Sequence, residues 1–227
     1  MNILDVIAKA KAEKAKKLDL SDLHLRLLPQ ELFALEDLEE LVLDQNLLVE
    51  LPESIGRLKN LKSLSVSEND LMEIPEALGK LKNLKKVNIA RNQLLELPDS
   101  IGNWTQVEKF SLHDNMLSKI PDSIGNMAKL EKLYLDNNEL QVLPESIGNL
   151  QELEILMVSG NKLSSLPKSI GDLQKLVELV LDENSLDALP ENLADCKALK
   201  SLSVVNNPLS GTLPAVLAEK ENLRIDV

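Results

Sequence analysis

An asparagine recurs at a step of 23 residues without a slip: Asn46, Asn69, Asn92, Asn115, Asn138, Asn161, Asn184 and Asn207. A fixed internal period of this length means a stack of equivalent units, each of which buries its apolar edge only against its neighbours. Written from its first apolar position, one unit reads Leu38-x-x-Leu41-x-Leu43-x-x-Asn46-x-Leu48-x-x-Leu51-Pro52-x-x-Ile55-Gly56-x-Leu58-x-x, and the next begins at Leu61. Nine units follow from Ala15 onward, the last one residue longer. They divide a single domain into an N-terminal cap (1–14), the repeats (15–222) and a terminal strand or cap (223–227).

Within a unit, Leu41-x-Leu43 alternates at period two, so its leucines point inward from a short strand while their neighbours face out. The asparagine follows where the chain must leave the sheet, and an inward amide can bond backbone groups that the turn leaves unpaired. In the return limb, proline marks a helix start, and the glycine of Ile55-Gly56 is expected to end a single helical turn in a left-handed conformation. Nine of the ten prolines occupy that slot and so report repeat geometry, not linkers. Glu53, Glu76, Asp99, Asp122, Glu145 and Glu191 follow the proline, opposite the positive end of the turn, and account for half of the net charge of −12.

The motif L-x-x-L-x-L-x-x-N-x-L, matched by eight units from Leu38 and by a degenerate one from Ala15, resembles the leucine-rich repeat family. The Leu-Pro-x-x-Ile-Gly-x-Leu limb is similar to the subclass found in intracellular Ras-group-related proteins and in short bacterial ones, spirochaetes included. The resemblance implies an α/β solenoid, a right-handed horseshoe with a parallel concave sheet and short helical turns on the convex side. It also implies a non-catalytic role in protein recognition, as a scaffold in signalling. The alternative reading is a bacterial effector or surface protein that recognises host proteins.

An open stack exposes core at both ends. Ile3, Val6, Ile7 and Ala10 fall on one helical face and read as an amphipathic capping helix. The first unit carries Leu23 in place of its asparagine. At the other end, Leu209-Ser210-Gly211-Thr212-Leu213-Pro214 takes in an extra residue, and Leu223 to Val227 can pair as a final strand. A homodimer through that edge or through the concave face is an expectation that light scattering tests. The N-terminus has no secretory pattern and no stretch is long enough to span a bilayer, so a cytoplasmic protein is expected, with export lacking a signal as the competing route. Cys196, Trp104 and Met127 stand in a leucine slot and read as core.

Consensus positions are spent on folding, so function falls to the outward strand positions, which stack into columns along the concave face. One column runs Asp19, Val42, Ser65, Asn88, Ser111, Tyr134, Met157, Val180 and Ser203; a second holds Lys86, Lys109, Lys132 and Ile155. Tyr134, Ile155, Met157 and Val180 form a candidate docking patch for a protein partner. The competing reading is that strands favour such residues whatever they bind. Lys86, Lys109 and Lys132 face Asp114, Asp136 and Asp182 across the strand, which predicts a polarised groove. His113, Asp114 and Asp136 form a weak candidate for a divalent metal. A nucleophile beside a base, a carboxylate pair and a phosphate-binding glycine loop are all missing, so no catalysis and no cofactor are expected. The acidic balance and 2% aromatic content argue against nucleic acid.

Overall fold

A computed structural model describes residues 2–210, 214–218, 220 and 222–227. Helix α1 (Ile3–Ala12) leads into ten strands: β1 (Lys17–Asp19), β2 (Glu40–Val42), β3 (Ser63–Ser65), β4 (Lys86–Asn88), β5 (Lys109–Ser111), β6 (Lys132–Tyr134), β7 (Ile155–Met157), β8 (Glu178–Val180), β9 (Ser201–Ser203) and β10 (Arg224–Asp226). A short helix, α2 (Ala215–Ala218), precedes β10. All ten strands pair in parallel, in chain order, in one open sheet. The terminal segment thus supplies a tenth strand to the nine repeats. The inserted stretch at Gly211, Thr212 and Leu213 lies outside the described residues.

Each strand pairs with the next at an offset equal to the repeat length, β9 with β10 included, as in Leu41 with Leu64, Leu133 with Leu156 and Leu202 with Ile225. Equivalent slots therefore lie side by side, and the inward leucines merge into one core that runs from Ile7 to Leu217. The sheet lines the concave side of a right-handed horseshoe and the return limbs lie on the convex side. Helix α1 closes the first coil, with Ile7 and Ala10 buried and the Asn2 side chain accepting the Leu4 N–H at 3.1 Å.

Every asparagine of the 23-residue series bridges two coils. Asn69 donates to the carbonyls of Leu43 (3.0 Å) in the preceding coil and of Val66 (3.3 Å) in its own, and its oxygen accepts the Leu48 N–H at 3.0 Å. In the first unit, which lacks its own asparagine, Leu25 makes the regular bond to Asn46 and the N–H of Leu23 adds a second to the same oxygen.

The return limbs depart from expectation in two ways. Each is a five-residue 3-10 segment, such as Glu53–Arg57, and so exceeds a single turn; bonds run from the Ile55 N–H to the Pro52 carbonyl and from the Leu58 N–H to the Ile55 carbonyl. Nor do the limb glycines end the turn left-handed. Gly148 sits inside its segment, where an added Cβ would lie 2.6 Å from both the Cβ and the carbonyl oxygen of Ser169 in the next coil. These glycines let adjacent limbs approach. The left-handed slot lies one residue before the asparagine and holds Gln45, Glu68, Arg91, Asp114, Asn137, Gly160, Glu183 and Asn206.

Candidate protein-recognition site

The parallel register brings Tyr134, Met157 and Val180 to directly neighbouring positions on β6, β7 and β8. Ile155 stands beside Lys132 in the adjoining column, and Lys132 beside Lys109 and Lys86. All four apolar or aromatic residues are half-buried. They shield one another along the sheet, as cross-strand neighbours do, and keep an outward surface. The Lys109 ammonium lies 5.1 Å from the centre of the Tyr134 ring, which joins the basic column to the aromatic one. Among the described residues none of Lys86, Lys109 and Lys132 takes part in an ion pair, although Lys17 in the same column pairs with Glu40 at 2.7 Å.

The acidic residues across the strand are already engaged, which alters the expected polarity. Asp136 accepts the Ser159 N–H at 2.9 Å, and Asp182 accepts the Val205 N–H at 2.8 Å and the Ser203 hydroxyl at 2.6 Å. Asp44 holds the Ser67 N–H in the same way. A carboxylate in this slot thus secures the backbone of the next coil. Burial pushes the Asp136 carboxyl above its ordinary range, while the Ser159 N–H pulls the other way. Asp114 accepts from the Asn137 amide at 2.7 Å and lies 3.5 Å from the Arg91 guanidinium, within a ladder that also ties Arg91 to Glu68 at 2.8 Å.

No group of three His, Cys, Asp or Glu able to hold a metal occurs among the described residues, so His113, Asp114 and Asp136 do not assemble the weak site. Cys196 is buried with its thiol donating to the Ile170 carbonyl at 3.1 Å, and burial pushes its pKa up to about 11. It is held in the unreactive thiol form. Trp104, in the same slot, donates to the Leu78 carbonyl at 3.0 Å and meets Phe110 edge-on. No helix among the described residues is long and apolar enough to cross a membrane. Strand columns alone overlook the half-exposed Val49, Met72 and Leu95, which share a slot in successive return limbs and which the repeat period would have exposed.

A family model described as a leucine rich repeat matches residues 13–71 and 82–140, and another, a leucine-rich repeat region, matches 133–225. No curated protein matches by sequence. Among solved structures, a leucine-rich repeat protein of Leptospira interrogans is 30% identical over 97% of this chain and 74% of its own, with a TM-score of 0.60. The leucine-rich repeat domain of the type III effector XopL is 25% identical, with a TM-score of 0.91 over 99% of this chain and 80% of that one. The Arabidopsis receptor kinase HAESA, solved with the peptide hormone IDA and the co-receptor SERK1, is 32% identical with a TM-score of 0.81; the match covers 95% of this chain and 38% of the receptor. With the motif, the coil geometry and these matches in agreement, the chain belongs to the leucine-rich repeat family.

Proposed function

We propose that this chain is a non-catalytic recognition module that binds a protein partner on its concave face, through Tyr134, Ile155, Met157 and Val180 flanked by Lys86, Lys109 and Lys132. One observation carries the reading: the register stacks the apolar residues beside three lysines that have no acidic partner among the described residues. A fitting partner segment would bury apolar side chains on Tyr134 and Met157 and set carboxylates against the lysine column. Tyrosine is a common anchor at such interfaces, and the lysines would raise the association rate. Asp114, Asp136 and Asp182 contribute through the coil-to-coil bonds that shape the face. A scaffold in cytoplasmic signalling is the setting this chemistry serves most simply.

The likeness to XopL, a type III effector, and to the Leptospira interrogans protein favours a second reading, a bacterial effector or surface protein that recognises host proteins. Affinity capture from source-cell and host-cell lysates, comparing the wild type with Tyr134→Lys/Met157→Lys, separates the two. A protein retained by the wild type and lost by the folded variant names the partner, and the lysate of origin selects the reading. Identical retention by both baits removes the concave site. Light scattering of the same samples reports whether a second copy occupies that face.

A further inference from the structure

Because the coils are equivalent, each serves as a control for the others, and two departures from the repeat coincide in three successive coils. The slot after the core leucine of the return limb holds Val49, Met72 and Leu95 there, but Ser118, Gln141, Ser164 and Asp187 in later coils. The coil itself therefore needs no apolar residue in that slot. Yet these three are 53%, 54% and 50% exposed, stacked at ~4.8 Å per coil into a stripe about 10 Å long. The following slot holds Glu50, Glu73 and Glu96, where later coils carry Lys119, Val142, Ser165 and Ala188.

Beside the stripe runs an open groove of about 570 Å³ along Pro52, Pro75 and Pro98, lined by Glu50, Glu53, Glu73, Glu76 and Glu96. A second hollow of about 410 Å³ continues it past Asp99 to Asp122. Among the described residues, Lys119 is the one cation paired with these groove carboxylates, 3.9 Å from Glu96. The limb follows the asparagine turn, so this surface is separate from the concave columns.

We propose that the stripe and its groove form a second docking surface, for a cationic amphipathic segment of a partner protein. Apolar side chains of that segment would cover Val49, Met72 and Leu95, and lysine or arginine heads on long stems would reach the carboxylates. Charge selects the occupant: five glutamates repel nucleic acid and anionic lipid surfaces and attract a basic polypeptide. The surface goes beyond the concave reading and stands whether or not that reading holds.

Fluorescence anisotropy on the full chain, at near-physiological salt, tests this with a short labelled amphipathic peptide of leucine and lysine and a serine–lysine peptide of equal charge. The leucine–lysine peptide is expected to bind, and the serine–lysine peptide about tenfold more weakly. Met72→Ser/Leu95→Ser, using residues that this slot already holds elsewhere, and Glu73→Gln/Glu96→Gln should each weaken binding about tenfold with unchanged melting. Tyr134→Ser/Met157→Ser should leave it within about twofold, which separates this surface from the concave one. Equal affinity for the two peptides, indifference to the flank variants, or an equal loss in the concave variant overturns the proposal. So does self-association abolished by Met72→Ser/Leu95→Ser, which would make a second copy the occupant.

Discussion

Gly148 and Gly160 sit twelve residues apart in sequence and serve unrelated ends. At Gly148 the obstacle is space, since a methyl group would press on the Ser169 backbone and Cβ at 2.6 Å. At Gly160 the backbone is left-handed, at φ 63°, in a slot where the other coils carry Gln, Glu, Arg, Asp or Asn. Gly148→Ala is therefore expected to destabilise by about 1–3 kcal/mol, through overpacking. Gly160→Asn should change stability by less than about 0.5 kcal/mol, because asparagine tolerates that conformation and the nearest obstacle is the movable end of the Asn137 side chain. Urea unfolding of both variants checks the contrast; equal losses would show that backbone angle, not space, governs the limb. The two uses also explain a misreading. Glycine at a fixed period signals a constraint without saying whether it is angular or steric, and the angular slot, filled mostly by other residues, gave no glycine signal at all.

At the scale of elements, what local alternation dictates was legible and what one coil does to the next was less so. The strands and capping helix follow from Leu41-x-Leu43 and from Ile3, Val6, Ile7 and Ala10. The columns followed too, since a parallel sheet at a one-repeat offset leaves no freedom in which residues are neighbours. The roles of Asp136 and Asp182 were hidden, because a carboxylate reads as surface charge until the N–H groups of Ser159 and Val205 are seen above it. Neighbour-only contact also predicts how the cap fails. Ile7→Asp would set a charge in the closed end of the core and cost about 3 kcal/mol or more. Hydrogen exchange should then quicken at β1 and β2 while β6 to β8 keep their protection. Uniform acceleration along the chain would mean that the stack unfolds as a single unit.

For the whole molecule, the repeat separates two tasks that most domains mix. Leucines, asparagines, prolines and glycines hold the shape, and a few free slots carry chemistry, so the architecture was legible, the limb detail less so, and the partner not at all. Those free slots place lysines without an acidic partner among the described residues in the concave columns, and along the flank glutamates of which, among those residues, Glu96 alone is paired with a cation, on one scaffold of net charge −12. The asparagine bridge carries a consequence of another kind. Each bridge spans one coil boundary and no more, so excising residues 93–115 would bring Asn138 to the Ile89 carbonyl in place of that of Leu112, with every bond re-formed by an equivalent group. That deletion is expected to melt cooperatively as a shorter solenoid, whereas excising residues 93–104, half a coil, should abolish the sharp transition in calorimetry, because the remaining coil is too short to return to the sheet and its slots no longer meet their equivalents. The heritable unit of change for such a gene is the coil: recombination between its own repeats can lengthen or shorten the protein in whole coils, leaving selection to act on what each added length can grip.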